Sequence, residues 1–298
     1  MSRFVAIDLA ALPPIDAVVL PNVEAIVAER KAALLDRIKD PALRAEVEAV
    51  LRLESEPLVK GVEAGAYREL IVDQRINEAV RAVMVATSSG SDLVNLAARL
   101  GVEKLDGETD DELRYRYQLA PEAFSTAGPY GAYEFHARSA HPLVKDAAIY
   151  GPESGLVEPG FVRAVVLSKA GTGIPAREII DAVAAKFSPV DTRPLTDFVQ
   201  VQPASVTFYA INYHLHIRAG ADPSLIVTSA LNALQGYADV SHKVGRRIVL
   251  SALDGAAHQD RTNVIRAIRA SPPAEVNPGF EGAAYATSVA VTYEIVEG

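Results

Sequence analysis

The sequence predicts an α+β protein, with an N-terminal long-helix bundle region followed by two small α+β domains. Three observations carry that reading. Residues 55–87 contain no proline beyond Pro57 and read as one long helix. At residue 143 helical spacing gives way to short apolar runs separated by Gly/Pro-rich loops. Residues 206–218 then alternate apolar and polar side chains, the period of a half-buried strand.

Residues 1–21 form an extended arm. Pro13, Pro14 and Pro21 break any helix there. Phe4, Val5, Ile7, Leu9 and Leu12 are too apolar for a free tail, so the arm either frays or orders by laying these side chains on a neighbour. Residues 22–101 form the helical bundle region. Asn22 is an N-cap, and Val23, Ile26, Val27, Leu34, Leu35 and Ile38 lie on one stripe. Pro41 opens a second helix carrying Leu43, Val47, Val50 and Leu51. The third runs from near Ser55 to about Thr87, with Leu58, Val62, Tyr67, Leu70, Ile71, Val80, Val83 and Met84 on its apolar side. About 30 residues at 1.5 Å each make a rod of roughly 45 Å, a length that belongs to bundles. Gly61 and Gly65 form a small-residue face for another helix or a local weakness in the rod. Ser91 caps a short helix with Leu93, Leu96 and Leu100, closed by Gly101.

Residues 102–142 are linker and helices. Thr109-Asp110-Asp111-Glu112 has capping-box spacing and starts a helix with Leu113, Tyr117 and Leu119 that stops at Pro121. Residues 127–131 are a turn cluster before a helical segment at 132–140. The first α+β domain, 143–204, has strands at 144–150 and 161–167, a helix at 174–187 with Ile179, Ile180, Val183 and Phe187 on one stripe, and a strand near 197–202. The second, 205–298, opens on the alternating strand. Tyr209, Ile211, Tyr213, Leu215 and Ile217 face the core; Asn212, His214, His216 and Arg218 face out. Asp222-Pro223 starts a helix to about 237, a shorter helix spans 249–257, and strands follow at 264–268 and 288–296. Val289, Val291, Tyr293 and Ile295 share one face of the last strand.

Composition narrows the function. The 298 residues are 49% apolar and 22% charged, enough for a sizeable core. The absence of cysteine excludes disulfides, zinc-thiolate sites, iron–sulfur clusters and cysteine nucleophiles, and suits a reducing compartment. A net charge of −9 argues against a general nucleic-acid binder. No apolar run approaches the ~20 residues that span a bilayer, and residues 1–12 lack a signal-peptide pattern. The expected product is cytoplasmic, with no nucleic-acid or membrane partner.

Catalytic signals are weak. Gly171-Thr172-Gly173 is a truncated phosphate loop, without the third glycine of a dinucleotide fingerprint or the lysine of a Walker loop. His214 and His216 lie two apart on one strand face, a geometry open to two metal ligands, with His242, His258 or a carboxylate as the third. His136, Arg138, Ser139 and His141 cluster in sequence, but triads assemble in space and no Gly-x-Ser-x-Gly elbow exists. The acidic run 106–112 lacks calcium-loop spacing and reads as a solvated linker and helix cap. No catalytic, cofactor-binding or metal residue is assigned. The alternative function is a metal- or small-molecule-binding cytoplasmic enzyme using His214 and His216.

From the third helix onward a series of short motifs recurs in a characteristic order. Leu53-Glu54-Ser55-Glu56-Pro57, Ala66-Tyr67-Arg68-Glu69, residues 75–84, Gly90-Ser91-Asp92-Leu93 and Leu96-Ala97 are followed by Asp111-Glu112-Leu113-Arg114-Tyr115-Arg116 and residues 125–140. Their order and spacing resemble the baseplate J-like proteins of contractile-tailed bacteriophages and phage-derived tailocins, closely over residues 50–140 and in layout beyond. The resemblance implies a baseplate wedge protein. Two copies would pair with one copy of an I-type wedge partner through a shared helical bundle. Six such wedges would ring the central hub and rearrange when the sheath contracts. Further contacts would reach sheath-initiator-type and hub-proximal proteins. Leu58, Val62, Tyr67, Leu70, Ile71 and Met84 are the expected bundle interface, and residues 102–112 a hinge. Assembly would occur in the bacterial host cytoplasm.

Overall fold

The computed structural model describes residues 4–13, 17, 19–20, 22–125, 128–188, 192–194 and 196–297. Part of the expected arm (1–3, 14–16, 18 and 21), and Ala127 of the expected turn cluster, lie outside the described residues. The chain divides into two compact units, Ile7–Glu103 and Lys104–Gly298 joined by Met1–Ala6. The expected α+β class is observed. Among the described residues there are nine α-helices and six strands.

The unit of residues 7–103 is helical, with α1 (Val23–Asp36), α2 (Pro41–Val50), α3 (Pro57–Ala82) and α4 (Gly90–Ala98). Asn22 caps α1 by accepting from the Ala25 amide at 3.1 Å, and Asp40 caps α2 through the Ala42 amide at 2.9 Å. Ile26, Leu51, Val59, Ala66, Leu93, Leu96 and Ala97 are buried. At 26 residues, α3 is about 39 Å long, shorter than expected. Its end is set by side-chain capping rather than by proline or glycine. The Thr87 hydroxyl donates to the Arg81 carbonyl at 2.7 Å, and the Val83 amide tightens the last turn onto Val80 and Arg81. One cap is corrected: Ser89, not Ser91, precedes α4, and Ser91 sits inside its first turn. At Gly65 a Cβ would press on the Arg30 guanidinium, which reaches across to Glu69 at 2.6 Å. Gly61 has open space at the same position.

The larger unit begins with α5 (Asp110–Leu119) and α6 (Tyr130–Ala140). Thr109 and Glu112 form the expected capping box. The first sheet contains β1 (Val144–Tyr150), β2 (Phe161–Ser168) and β3 (Phe198–Pro203) in that order. β1 runs antiparallel to β2, and β3 parallel to it after the crossover helix α7 (Arg177–Lys186). Tyr133 and Ala137 of α6 and Ile179, Val183 and Phe187 pack on one face of this sheet. The second sheet has the order β5-β4-β6, from β4 (Ser205–Arg218), β5 (Val264–Ser271) and β6 (Gly282–Val296), with α8 (Pro223–Ser241) and α9 (Leu250–Ala257) over it. The alternation read in β4 is observed: Tyr209, Ile211, Tyr213, Leu215 and Ile217 are buried. The two sheets share a third cluster, in which Ala148, Tyr150, Val165 and Leu167 meet Ala204, Val244 and Ala283.

β6 starts six residues earlier than the sequence reading placed it and pairs in parallel with the whole of β4. Its first residues, Gly282, Ala283 and Ala284, are small and have low strand propensity. A Cβ at Gly282 would meet the Pro278 backbone, so close approach excludes the larger side chains that mark a strand.

Candidate functional site

The first candidate surface is α3. Of the six expected interface residues, Leu58, Tyr67 and Met84 are exposed, while Val62, Leu70 and Ile71 are half-buried within the chain. They do not share one face. Tyr67 lies nine residues beyond Leu58, which at 3.6 residues per turn is the opposite side of the helix. The sequence reading missed Val72 and Ile76, which are 51% and 42% exposed. The signal was present. Positions 58, 62, 65, 69, 72, 76, 79 and 83 alternate four- and three-residue steps, a heptad seam occupied by Leu, Val, Gly, Glu, Val, Ile, Ala and Val. Leu58, Val72, Ile76 and Val83 of that seam are exposed. Its first half borders a groove of about 480 Å³ between α1 and α3, lined by Arg30, Leu34, Arg37, Leu58, Gly61 and Val62.

The arm adds apolar surface. Phe4 packs edge-on against Tyr115 at 6.0 Å, whereas Val5, Ile7, Leu12, Val19 and Leu20 are exposed.

The second region is a buried charge network around α5 and α6. Glu108 and Arg116 are both buried and pair at 2.6 Å. Glu108 also accepts from the Leu105 amide at 2.9 Å, and Arg116 donates to Ser139 Oγ at 2.8 Å. This corrects the reading of the acidic run as a solvated linker and helix cap at one position, Glu108, because the counter-ion Arg116 lets that carboxylate enter the core. Arg138 binds Glu134 at 2.9 Å and Asp146 at 2.5 Å, and lies over the Tyr115 ring at 4.6 Å. Asp146 in turn accepts from the Val244 amide at 2.8 Å, which ties β1 to the segment after α8. Burial pushes the Tyr115 hydroxyl pKa up, and the hydroxyl donates a hydrogen bond to Glu134 Oε1 at 2.8 Å. A cleft of about 380 Å³ opens beside this network, lined by Glu112, Arg138, Lys145, Lys169 and Lys243 among others. Burial lowers the Lys145 pKa. The Ser/His cluster in sequence forms no triad: Ser139 serves Arg116, and His141 Nδ1 accepts from the Leu143 amide at 3.1 Å.

The Gly171–Gly173 loop is a tight turn. Ser168 N donates to Gly173 O at 2.7 Å, and a Cβ on Gly173 would strike the His242 ring and Leu167. His242 is a core residue whose Nδ1 lies 2.8 Å from the Ala284 carbonyl, and burial pushes its pKa down. It is not the third partner of His214 and His216; Glu294 on β6 is.

The helical unit is thus a component whose long helix leaves Leu58, Val72, Ile76 and Val83 of its heptad pattern exposed, beside a groove, while Arg30 occupies the pattern at Gly65 and Glu69. Comparison with known proteins gives that component its family. The Baseplate J-like N-terminal domain model matches residues 54–108, and the Baseplate J-like central domain model matches residues 125–203. The chain is 37% identical over 267 residues to Baseplate protein J of Escherichia phage P2, covering 85% of this chain and 85% of that relative. The chain belongs to the baseplate J-like family, as the motif order in the sequence led us to expect.

Proposed function

We propose that this chain is a structural wedge protein in the baseplate of a contractile phage tail or phage-derived tailocin. Two copies pair with one I-type partner. The seam of α3 meets the partner's helices in a shared bundle through Leu58, Val72, Ile76 and Val83; of the six expected interface residues, Leu58 and Val62 lie on it, while Tyr67, Leu70, Ile71 and Met84 lie off it. The larger unit makes contacts between copies that close into a ring around the hub, with sheath-initiator-type neighbours. The boundary between the two compact units falls at Glu103/Lys104, inside the stretch 102–112 that we assign as the hinge of rearrangement on contraction. Assembly takes place in the host cytoplasm and the product resides in the baseplate.

The observation that carries this reading is the exposed seam within the segment matched by the family's N-terminal domain. Seams of this spacing take their stability from a partner helix. The test replaces Val72 and Ile76 together by Asp and coexpresses the chain with its neighbouring tail proteins. Both positions are solvent-facing, so the chain stays folded and the complex with the wedge partner is lost on size-exclusion chromatography. A complex of wild-type yield from the folded variant overturns the proposal. Leu70 and Ile71 are poorer targets, because both are half-buried and a charge there would also disturb the fold of the chain itself.

The enzyme alternative gains little from the geometry. His214 and His216 sit on an open sheet face, and the clefts of about 380 and 250 Å³ in the same unit are lined by other residues.

A further inference from the structure

His214 and His216 share one face of β4, two positions apart. Their register partners on β6 are Thr292 and Glu294. His214 Nε2 lies 3.7 Å from one oxygen of the Glu294 carboxylate, and His216 Nε2 lies 3.1 Å from the other. One ligand atom from each of the three residues falls within 4.8 Å of the other two. Three bonds of ~2.0–2.2 Å to a common ion span at most about 4.4 Å, so a small side-chain adjustment closes the set.

Thr292 Oγ1 lies 2.8 Å from His214 Nδ1 and 3.3 Å from the Tyr213 carbonyl. These contacts admit a ring in which Nδ1 donates to Oγ1 while the hydroxyl donates to Tyr213, and that tautomer leaves the Nε2 lone pair facing the Glu294 carboxylate. A cation between the two atoms, whether a proton or a metal ion, satisfies that contact. The second imidazole, converging on the same carboxylate, supplies the further nitrogen that a metal ion needs and a proton does not. The Thr292 contact plays the part that an outer hydrogen bond plays for metal-bound histidines, orienting the ring and fixing its tautomer.

We propose that His214 Nε2, His216 Nε2 and the Glu294 carboxylate hold one divalent first-row transition ion, with zinc the fitting member and a remaining position open to solvent. Two imidazoles and a carboxylate suit zinc; magnesium and calcium prefer all-oxygen sets. The ion cross-links the central strand β4 to its outer neighbour β6 near the end of the chain. There Tyr293 and Ile295 are exposed, although their face of β6 is apolar where the sheet is covered by helices. This site does not depend on the wedge assignment.

Isothermal titration of the full-length, untagged chain with zinc chloride tests it. One zinc per chain is expected, with magnesium chloride failing to compete. His216→Ala and Glu294→Gln each lose at least about tenfold in affinity, and Thr292→Val, which leaves all three ligands in place, loses ~10-fold by releasing the His214 tautomer. Circular dichroism confirms that each variant is folded. Absence of zinc binding by the wild-type chain overturns the proposal, whatever the variants do. So does undiminished binding by a folded His214→Ala/His216→Ala double variant, which would place the ion at other histidines.

Discussion

At the scale of single residues, the buried Glu108–Arg116 pair is the clearest case of a charge whose worth lies in not being broken. With both partners present, desolvation and attraction nearly offset; with one removed, the other is stranded. Arg116→Met is expected to destabilise the chain by about 3–5 kcal/mol in urea unfolding, and Glu108→Leu combined with Arg116→Met to recover much of that. A single-variant cost within about 0.5 kcal/mol would contradict the burial argument. His242 gives a pH prediction. Burial holds its folded pKa below the ordinary histidine value, so as pH falls below about 6.5 the unfolded chain takes up the proton first. Stability from this residue is complete above that pH and is lost as pH falls toward the folded pKa. The thermal midpoint of the wild type should drop more steeply between about pH 7 and 5 than that of His242→Asn; equal slopes would count against it. Caps were legible at this scale, because Asn22, Asp222 and the Thr109/Glu112 box act through neighbours two or three positions away. The burial of Glu108 was not legible, since its partner is chosen by how α5 docks. Nor was Glu294 as the neighbour of His214 and His216, because strand register joins residues some 80 positions apart.

At the scale of elements, periodicity located the helices and strands well and misjudged their faces where packing decides. The apolar residues of α3 cover more than one side of the helix. Which of them turn inward depends on where α1 lies, and α1 crosses near Gly65 with Arg30 over the helix. In the folded unit Ala66 and Val59 are buried, while Val72 and Ile76 lie in water. Strand β6 was underread at its start because Gly282 and the alanines after it carry no strand signal, although they pair fully with β4. Gly61 separates the two roles of small residues in α3. Its Cβ position is empty space, so Gly61→Ala should stabilise the isolated chain by up to about 1 kcal/mol in thermal unfolding, through helix propensity alone. If a partner helix seats in the groove at Gly61, the same change weakens the wedge complex while strengthening the chain. Stabilisation with unchanged complex affinity would remove Gly61 from the contact.

At the scale of the whole molecule, the division at Glu103/Lys104 distinguishes a helical unit with exposed apolar residues from an α+β unit whose sheets share a core. Most of the family's signal was legible because it resides in short motifs on α3 to α6, nearly all within the segments the family models match; the Asp111–Arg116 motif on α5 falls between them. Partners and stoichiometry are not written in any one chain's core, because they depend on complementary surfaces elsewhere. On the proposed reading, this seam is filled by a wedge partner shared between two copies. The decisive measurement is native mass spectrometry of the chain coexpressed with its neighbouring tail genes. The expected product is a complex of two copies of this chain with one copy of a second protein. A lone monomer, with every neighbour present and folded, would contradict it.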